Sequence, residues 1–563
     1  MKKIFLILTI FLSTGITSCK KFLEEENPSG LTDATFYVDE AGFERLVSSC
    51  YSVLRDIYDG EPHLFEYGTD VSTRGEVETV SGVADNLPTR IQLNEYKELA
   101  ATNSAVTNLF NDLYLGIQRC NIAINRADAI PMAESTKNKR LGEVRFLRAY
   151  YYYLLVENFG GTPIVQEEFT APVTQFTPNT EQEVYSFIVS ELNASLTELT
   201  GVTKANTQFG RVTPGAVKHL LSLIHLTRGY KTFGTSDDFT KSAQLAEEVI
   251  ASNYVLLPSF ADVFKMSNEK NDEIILSVQF DLTSLSTRNG APVGHGQNIL
   301  FGWLLVRELG FSQTDIATYN RRTSTVMPTQ YLYSLYNTSK DARYDATFLS
   351  QFNATQDAGA IKKGDLRFYF PKPDQPFTAA DELALKAVNP NVEVIRYDRW
   401  KQNIEGVGGA GKYPMINKFP DPTAPIPGSN EDLFKSSRDI ILFRLAETYL
   451  IAAEAYFKLN QPDKAAEKLN RLRDRAEKTP GALDISSSDV NIDFILDEKA
   501  REFAGEYKRW LDLKRTRRLD RAFQYNILTN MLGGPFLEKY YLRPIPQTVI
   551  DRVSGVYPQN DDY

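Results

Sequence analysis

Cysteine is nearly absent from this chain: Cys19, Cys50 and Cys120 are the only three in 563 residues. So few exclude a scaffold built on disulfides or on cysteine-rich metal sites. Histidine is almost as scarce, and His63, His219, His225 and His295 are scattered. His219 and His225 stand six apart, on different faces of a helix, and make a poor metal pair. Basic residues are in deficit, 62 against 72 acidic, for a net charge of −10. That argues against nucleic acid, which needs a basic footprint, and against a polybasic grip on anionic lipid. No run of 18 uninterrupted apolar residues is present, so no segment reads as a membrane-spanning helix.

What is present begins at the amino terminus. Two lysines lead into the apolar run Ile4 to Leu12, the length of a secretory core and too short to span a bilayer. Ile16-Thr17-Ser18-Cys19 then follows the order of a bacterial lipobox: branched apolar, small, small, cysteine. We expect residues 1–18 to be a lipoprotein signal peptide and Cys19 to carry the lipid, where two or more acyl chains give stable anchoring. The alternative is an ordinary secretory signal with an incidental cysteine. Residues 19–39, charged and interrupted by proline and glycine, suit an extended tether. Cys50 and Cys120 lie in apolar-periodic stretches, as a bridge or as two buried thiols.

Helical periodicity starts at Glu40, where Phe43, Leu46, Val47, Val53, Leu54 and Ile57 mark one stripe. Asp59 to Leu99 lacks a sustained period and reads as loop. Periodicity returns over Ser104 to Ala129, and Lys139 to Phe159 reads as a long buried helix stopped by Gly160-Gly161 and Pro163. Thr180 and Glu183 form a capping box, and a helix pair follows over Pro214 to Ser252.

The clearest unit is Ile440 to Glu477. Tyr449, Ala452, Ala453, Tyr456, Ala465, Leu469 and Leu472 have the spacing of a tetratricopeptide helix pair, with Asn460 to Asp463 as the turn. Weaker relatives occur at 143–199 and 216–252, and such pairs need neighbours to bury their faces. The fold class expected is mainly α, with tetratricopeptide-like helix pairs as a scaffold. Residues 40–280 form its N-terminal helical part, 281–432 a loop-rich insertion that is the candidate ligand region, and 433–563 the C-terminal helices and an extended tail.

No catalytic signature stands out. Gly406 to Tyr413, "GVGGAGKY", fits a phosphate-loop pattern, but Tyr413 replaces the hydroxyl that would hold Mg²⁺ and Pro414 blocks helix entry. No Gly-x-Ser-x-Gly elbow or Cys/His arrangement is present, though two carboxylates at a glycosidase spacing cannot be read from sequence. We expect neither enzymatic activity nor a cofactor or metal. Trp510, periodic with Phe503 and Tyr507, reads as core. Trp303 and Trp400 lie in the insertion, where an aromatic face could stack on a sugar ring or anchor a buried loop.

Ten segments, in order, carry a family likeness. They run from "CKKFLEEENPSGLTDATFY" through "GEVRFLRAYYYYLLVENFGGTPIV", "EVYSFIVSELNASL", "GRVTPGAVKHLLSLIHL" and "MPTQYLYSLYNTSKDARYDATF". "RLAETYLIAAEAYFK", "LNRLRDRA", "RWLDLKR" and the closing "YYLRPIPQTVID" and "YPQNDDY" complete them. The chain resembles the SusD/RagB family, nutrient-binding surface lipoproteins of Bacteroidota that partner SusC-like TonB-dependent outer-membrane transporters. One departure is Gly505-Glu506-Tyr507, where the family has Phe-Glu-Gly.

The resemblance implies a non-catalytic protein on the cell outer membrane, lipid-anchored and facing the cell surface, that delivers an oligosaccharide, or in the RagB-like version a peptide, to its transporter. By position it implies ligand contacts in Tyr67 to Glu76, with Asp70 and Arg74 as polar candidates. The insertion adds Trp303 for stacking, with Tyr319 and Arg321; Trp400 is the further stacking candidate, read from its place in the insertion. The rival readings are a glycoside hydrolase with unrecognised carboxylates and a structural adaptor without a small ligand.

Overall fold

The computed structural model describes residues 37–60, 63–75, 87–169, 171–281, 294–312, 317–320, 322–405, 411–424 and 436–563. The expected signal peptide, Cys19, most of the expected tether, Glu76, Arg321 and most of the glycine-rich Gly406 to Tyr413 stretch lie outside the described residues.

The scaffold is a procession of helices, each packed on the next. The N-terminal part comprises α1 (Glu40–Gly60), α2 (His63–Glu66), α3 (Leu87–Glu95), α4 (Ser104–Arg126), α5 (Glu134–Phe159), α6 (Glu181–Glu198), α7 (Pro214–Gly229) and α8 (Ser236–Ile250). Helix α1 packs on α4, α4 on α5, α5 on α6, α6 on α7 and α7 on α8. Helix α8 then meets Leu445–Lys458, which pairs with Pro462–Asp474. This is the helix-pair architecture expected from the alanine and tyrosine spacing, and the fold is mainly α.

Helix α5 shows why one segment becomes the spine. Every residue from Gly142 to Phe159 except Arg145 is buried, so the helix is covered on nearly all sides. Its tyrosines bury their rings and keep a polar outlet at the tip: Tyr151 donates to the Cys50 carbonyl at 2.6 Å and Tyr152 to that of Val165 at 3.1 Å. Gly160, at φ +77°, ends the helix in a conformation that side chains resist. The capping box of Thr180 and Glu183 is in place at the start of α6.

Asp59 to Leu99 departs from the loop expected. It contains α2, strand β1 (Ser72–Arg74) and α3. These pieces are too short to display a period, and burial of Leu64, Phe65, Tyr67 and Leu93 holds them instead. Strand β1 pairs antiparallel with β2 (Val326–Pro328), which joins the first helices to the insertion. The insertion carries further short strands and helices, and its aromatic residues belong to the same continuous apolar core as α1 and α5.

Two of the histidines are tied into the helical scaffold. His219 Nδ1 lies 2.8 Å from the Thr448 hydroxyl, and His225 Nδ1 lies 2.9 Å from Asp238. Burial lowers the pKa of both. Trp510 is buried, its Nε1–H donating to the Tyr96 hydroxyl at 3.2 Å. Where the family's aromatic and glycine are exchanged, Gly505 and Tyr507 both take positive φ, and Glu506 between them accepts from Arg444 at 2.8 Å and from Lys418. The departure leaves Glu506 inside a buried charge cluster with Glu502 and Glu273 around Arg444.

Candidate ligand groove

Asp70 is fully buried, two residues before the strand that leads to Arg74. Its carboxylate accepts from Arg509 Nε and Nη2 at 2.7 and 2.6 Å, and from Arg521 Nε at 2.9 Å. Burial pushes this carboxyl up, but the two guanidinium groups outweigh burial and hold it below the usual carboxylate range. Asp70 therefore has no lone pair facing solvent. It acts on what lies above it.

Arg521 is the link. Its Nη1 donates to Asp493 at 2.6 Å, and its Nη2 donates to Asp497 and to the Tyr331 hydroxyl, each at 2.5 Å. Tyr331 in turn donates to Asp497 at 2.6 Å. The guanidinium carbon lies 5.3 Å from the Tyr331 ring and 5.4 Å from the Tyr525 ring. Those two rings stack on each other with centroids 3.9 Å apart and planes 16° apart.

The stacked pair stands in a cavity of about 320 Å³ lined also by Thr73, Thr329, Gln330, Ser334, Gln524, Ile527 and Asn530. Three chain regions converge here: the β1–β2 pair, the short helix Gln330–Ser334, and the helices Asp520–Tyr525 and Ile527–Leu532. Thr329 fastens the first two by donating to the Asp70 carbonyl at 2.6 Å. Asn526 fastens the third, donating to the carbonyls of Thr69 and Ser72 at 3.1 and 3.0 Å. Ser334, Gln524 and Asn530 are exposed, and Gln330, Tyr331 and Tyr525 half-buried. Two part-open rings flanked by amides and hydroxyls can receive an apolar C–H face while bonding neighbouring hydroxyls.

The residues expected to touch ligand are placed differently from that expectation. Trp303 is 4% exposed, its Nε1–H donates to the Tyr413 carbonyl at 2.9 Å, and its ring packs against Phe352 and Phe368. Trp400 is 0% exposed, edge-on to Tyr333 and Tyr397, and its Nε1–H has no hydrogen-bond partner among the described residues. Neither indole offers a stacking face, because each fills the interior of the insertion. Arg74 is buried against Glu95 at 2.7 Å, and half-buried Tyr319 accepts from the Asn353 N–H at 2.7 Å. Among the described residues expected at the site, Asp70 alone is brought to the groove, and from below.

Sequence reasoning missed Tyr331, Tyr525 and the amides beside them. A partial signal was available in "TQYLYSLY": Tyr331 and Ser334, three apart, share the open side of the helix, while Leu332, Tyr333 and Tyr336 are buried. Nothing in the sequence points from Tyr331 to Tyr525.

Comparison with known proteins decides the ancestry. Residues 251–563 match the SusD family, and residues 21–226 match a family described as starch-binding associating with outer membrane. The chain belongs to the SusD family. Curated SusD relatives include SusD-like protein P25 of Formosa agariphila, 25% identical over 91% of this chain and 89% of the relative. The starch-binding protein SusD of Bacteroides thetaiotaomicron is 24% identical over 99% and 98%. Among solved structures, a laminarin-binding SusD-like protein superposes with a TM-score of 0.67 at 22% identity, covering 94% of this chain and all of that one. Surface glycan-binding protein A from Bacteroides thetaiotaomicron, in complex with laminarihexaose, gives 0.68 at 20%, covering 93% and 100%. At these identities the superpositions establish that the SusD fold is shared.

Proposed function

We propose that this SusD-family protein binds an oligosaccharide in the groove at Tyr331 and Tyr525, makes and breaks no covalent bond, and delivers its ligand to a SusC-like TonB-dependent transporter. In this reading residues 1–18 are removed, Cys19 carries the lipid, and residues 19–39 tether the protein to the outer surface of the outer membrane. The observation that carries the ligand class is the stacked tyrosine pair set among Gln330, Ser334, Gln524 and Asn530. The guanidinium beneath the pair is already engaged by Asp70, Asp493 and Asp497, which favours a neutral sugar over an acidic one. The same engagement gives those three carboxylates a structural occupation, which supports binding without hydrolysis.

The test is affinity gel electrophoresis of the protein against plant, host and microbial polysaccharides beside a peptide panel, repeated with Tyr525→Ala. Retardation by a glycan that is lost in the variant supports the reading. Saturable binding to peptides alone would replace the oligosaccharide with the peptide version, and release of reducing sugar over long incubation would overturn the non-catalytic assignment.

A further inference from the structure

Cys50 and Cys120 are the two cysteines of the described residues, and both are unbonded and fully buried. Cys50 is on α1 and Cys120 on α4, helices that pack directly on each other. Their register is fixed by a neighbour: Arg119 Nη1 donates to the Ser49 carbonyl and to the Ser52 hydroxyl, both at 3.0 Å, so the residue before Cys120 grips those on either side of Cys50. The Cys50 carbonyl is pinned by Tyr151 from α5, and its thiol is turned aside onto the Leu46 carbonyl at 3.4 Å. Two of the chain's three cysteines therefore sit on directly packed helices, with the register between those helices fixed beside both of them.

We propose that Cys50 and Cys120 are a disulfide-forming pair that closes when the chain folds in the presence of a disulfide oxidant. The Sγ–H bonds of both residues break and one Sγ–Sγ bond forms. Two protons and two electrons pass to the oxidant, whose own S–S bond breaks to give two thiols. The Cys50 side chain turns from Leu46 toward Cys120 to make the bond. Because both thiols are sealed in the finished core, the exchange occurs before α1 seats on α4. Burial, then the Cys50 thiol beside it, holds Cys120 well above the usual thiol value, so the closed core protects whichever state it traps. This inference rests on helix packing and not on the ligand reading.

The experiment starts from the whole protein as recovered from cells. It is reduced and unfolded, refolded in a glutathione redox buffer, then unfolded in acid with N-ethylmaleimide and digested with trypsin. Cleavage after Arg45, Arg55, Arg119 and Arg126 gives Leu46–Arg55 and Cys120–Arg126. The expected product is these two peptides joined, two hydrogens lighter than their sum and separated by reductant. The bridged protein should unfold at a midpoint roughly 3 °C higher than its reduced form, a difference absent in Cys50→Ala. Recovery of both peptides alkylated and unjoined from correctly refolded protein overturns the proposal. If refolding fails, the same digest of protein alkylated in acid directly at harvest decides it by the same two outcomes.

Discussion

The carboxylate of Asp70 and the hydroxyl of Tyr331 are held by one guanidinium: Arg521 donates Nε to Asp70 at 2.9 Å and Nη2 to Tyr331 at 2.5 Å. A residue with no exposed surface thereby sets the position of one that has some. Asp70→Asn should cost about 3 kcal/mol of stability, since it leaves Arg509 and Arg521 in a buried site short of negative charge. It should also weaken glycan binding without touching the ligand. Denaturant melts and a binding titration on the same preparation check both effects, and unchanged stability would remove the coupling.

Tyr525 is the simpler case, because its ring is offered to the groove and its stack on Tyr331 is the groove's main apolar surface. Tyr525→Ala should reduce affinity by about tenfold, or ~1.4 kcal/mol, while Tyr525→Phe keeps most of it. Calorimetry with the glycan found by electrophoresis gives the comparison. Equal loss in both variants would assign the effect to the hydroxyl.

Trp303→Ala and Trp400→Ala should each destabilise the protein by about 3–5 kcal/mol, the cost of emptying a buried indole site. Thermal melts measure it. A volume-sparing change, Trp303→Phe, should leave glycan binding intact, so loss of binding in a well-folded Trp303→Phe protein would return that ring to the ligand site.

Glu66 supplies a pH prediction. It is buried on α2, accepts from the Ser72 hydroxyl at 2.7 Å and from the Tyr507 N–H at 3.1 Å, and burial pushes its carboxyl up to about 7. Ser72, Tyr507 and Lys418 pull it down, and Glu506 pushes it up. A carboxyl raised in the fold is protonated there while its unfolded counterpart ionises. Its contribution is therefore complete below about pH 4 and lost as pH rises through about 7. Glu66→Gln should abolish that loss, so the variant gains up to about 3 kcal/mol over the parent at pH 8 and little at pH 4. Urea melts at the two pH values test it, and a gain of equal size at both would show that charge is not its cause.

The scaffold was legible because long helices repeat their own evidence. Phe43 to Ile57 on α1 and Tyr449 to Leu472 on the C-terminal pair each write a stripe several turns long. The groove was not legible because its parts are one to three residues each, contributed by β1, the helix after β2, the helix ending at Tyr525 and the helix that follows it. Tryptophans in a loop-rich region drew attention as stacking surfaces, yet a loop-rich region also needs an interior. Trp303 and Trp400 supply it, packed on Phe352, Phe368, Tyr333 and Tyr397. The tyrosines that remain part-open look the same in sequence as those of α5.

The tie between Asp70 and Arg509 spans 439 positions of chain. On a ribosome, Asp70 emerges when most of the protein is still untranslated, and the helices it must meet are almost the last to be made. Early helices α4 to α8 can pair with immediate neighbours as they appear, but the groove has no floor until Arg521 arrives. Competence for ligand is thus a property of the completed polypeptide, and a product stopped short of the final helices would hold much of the scaffold and none of the groove.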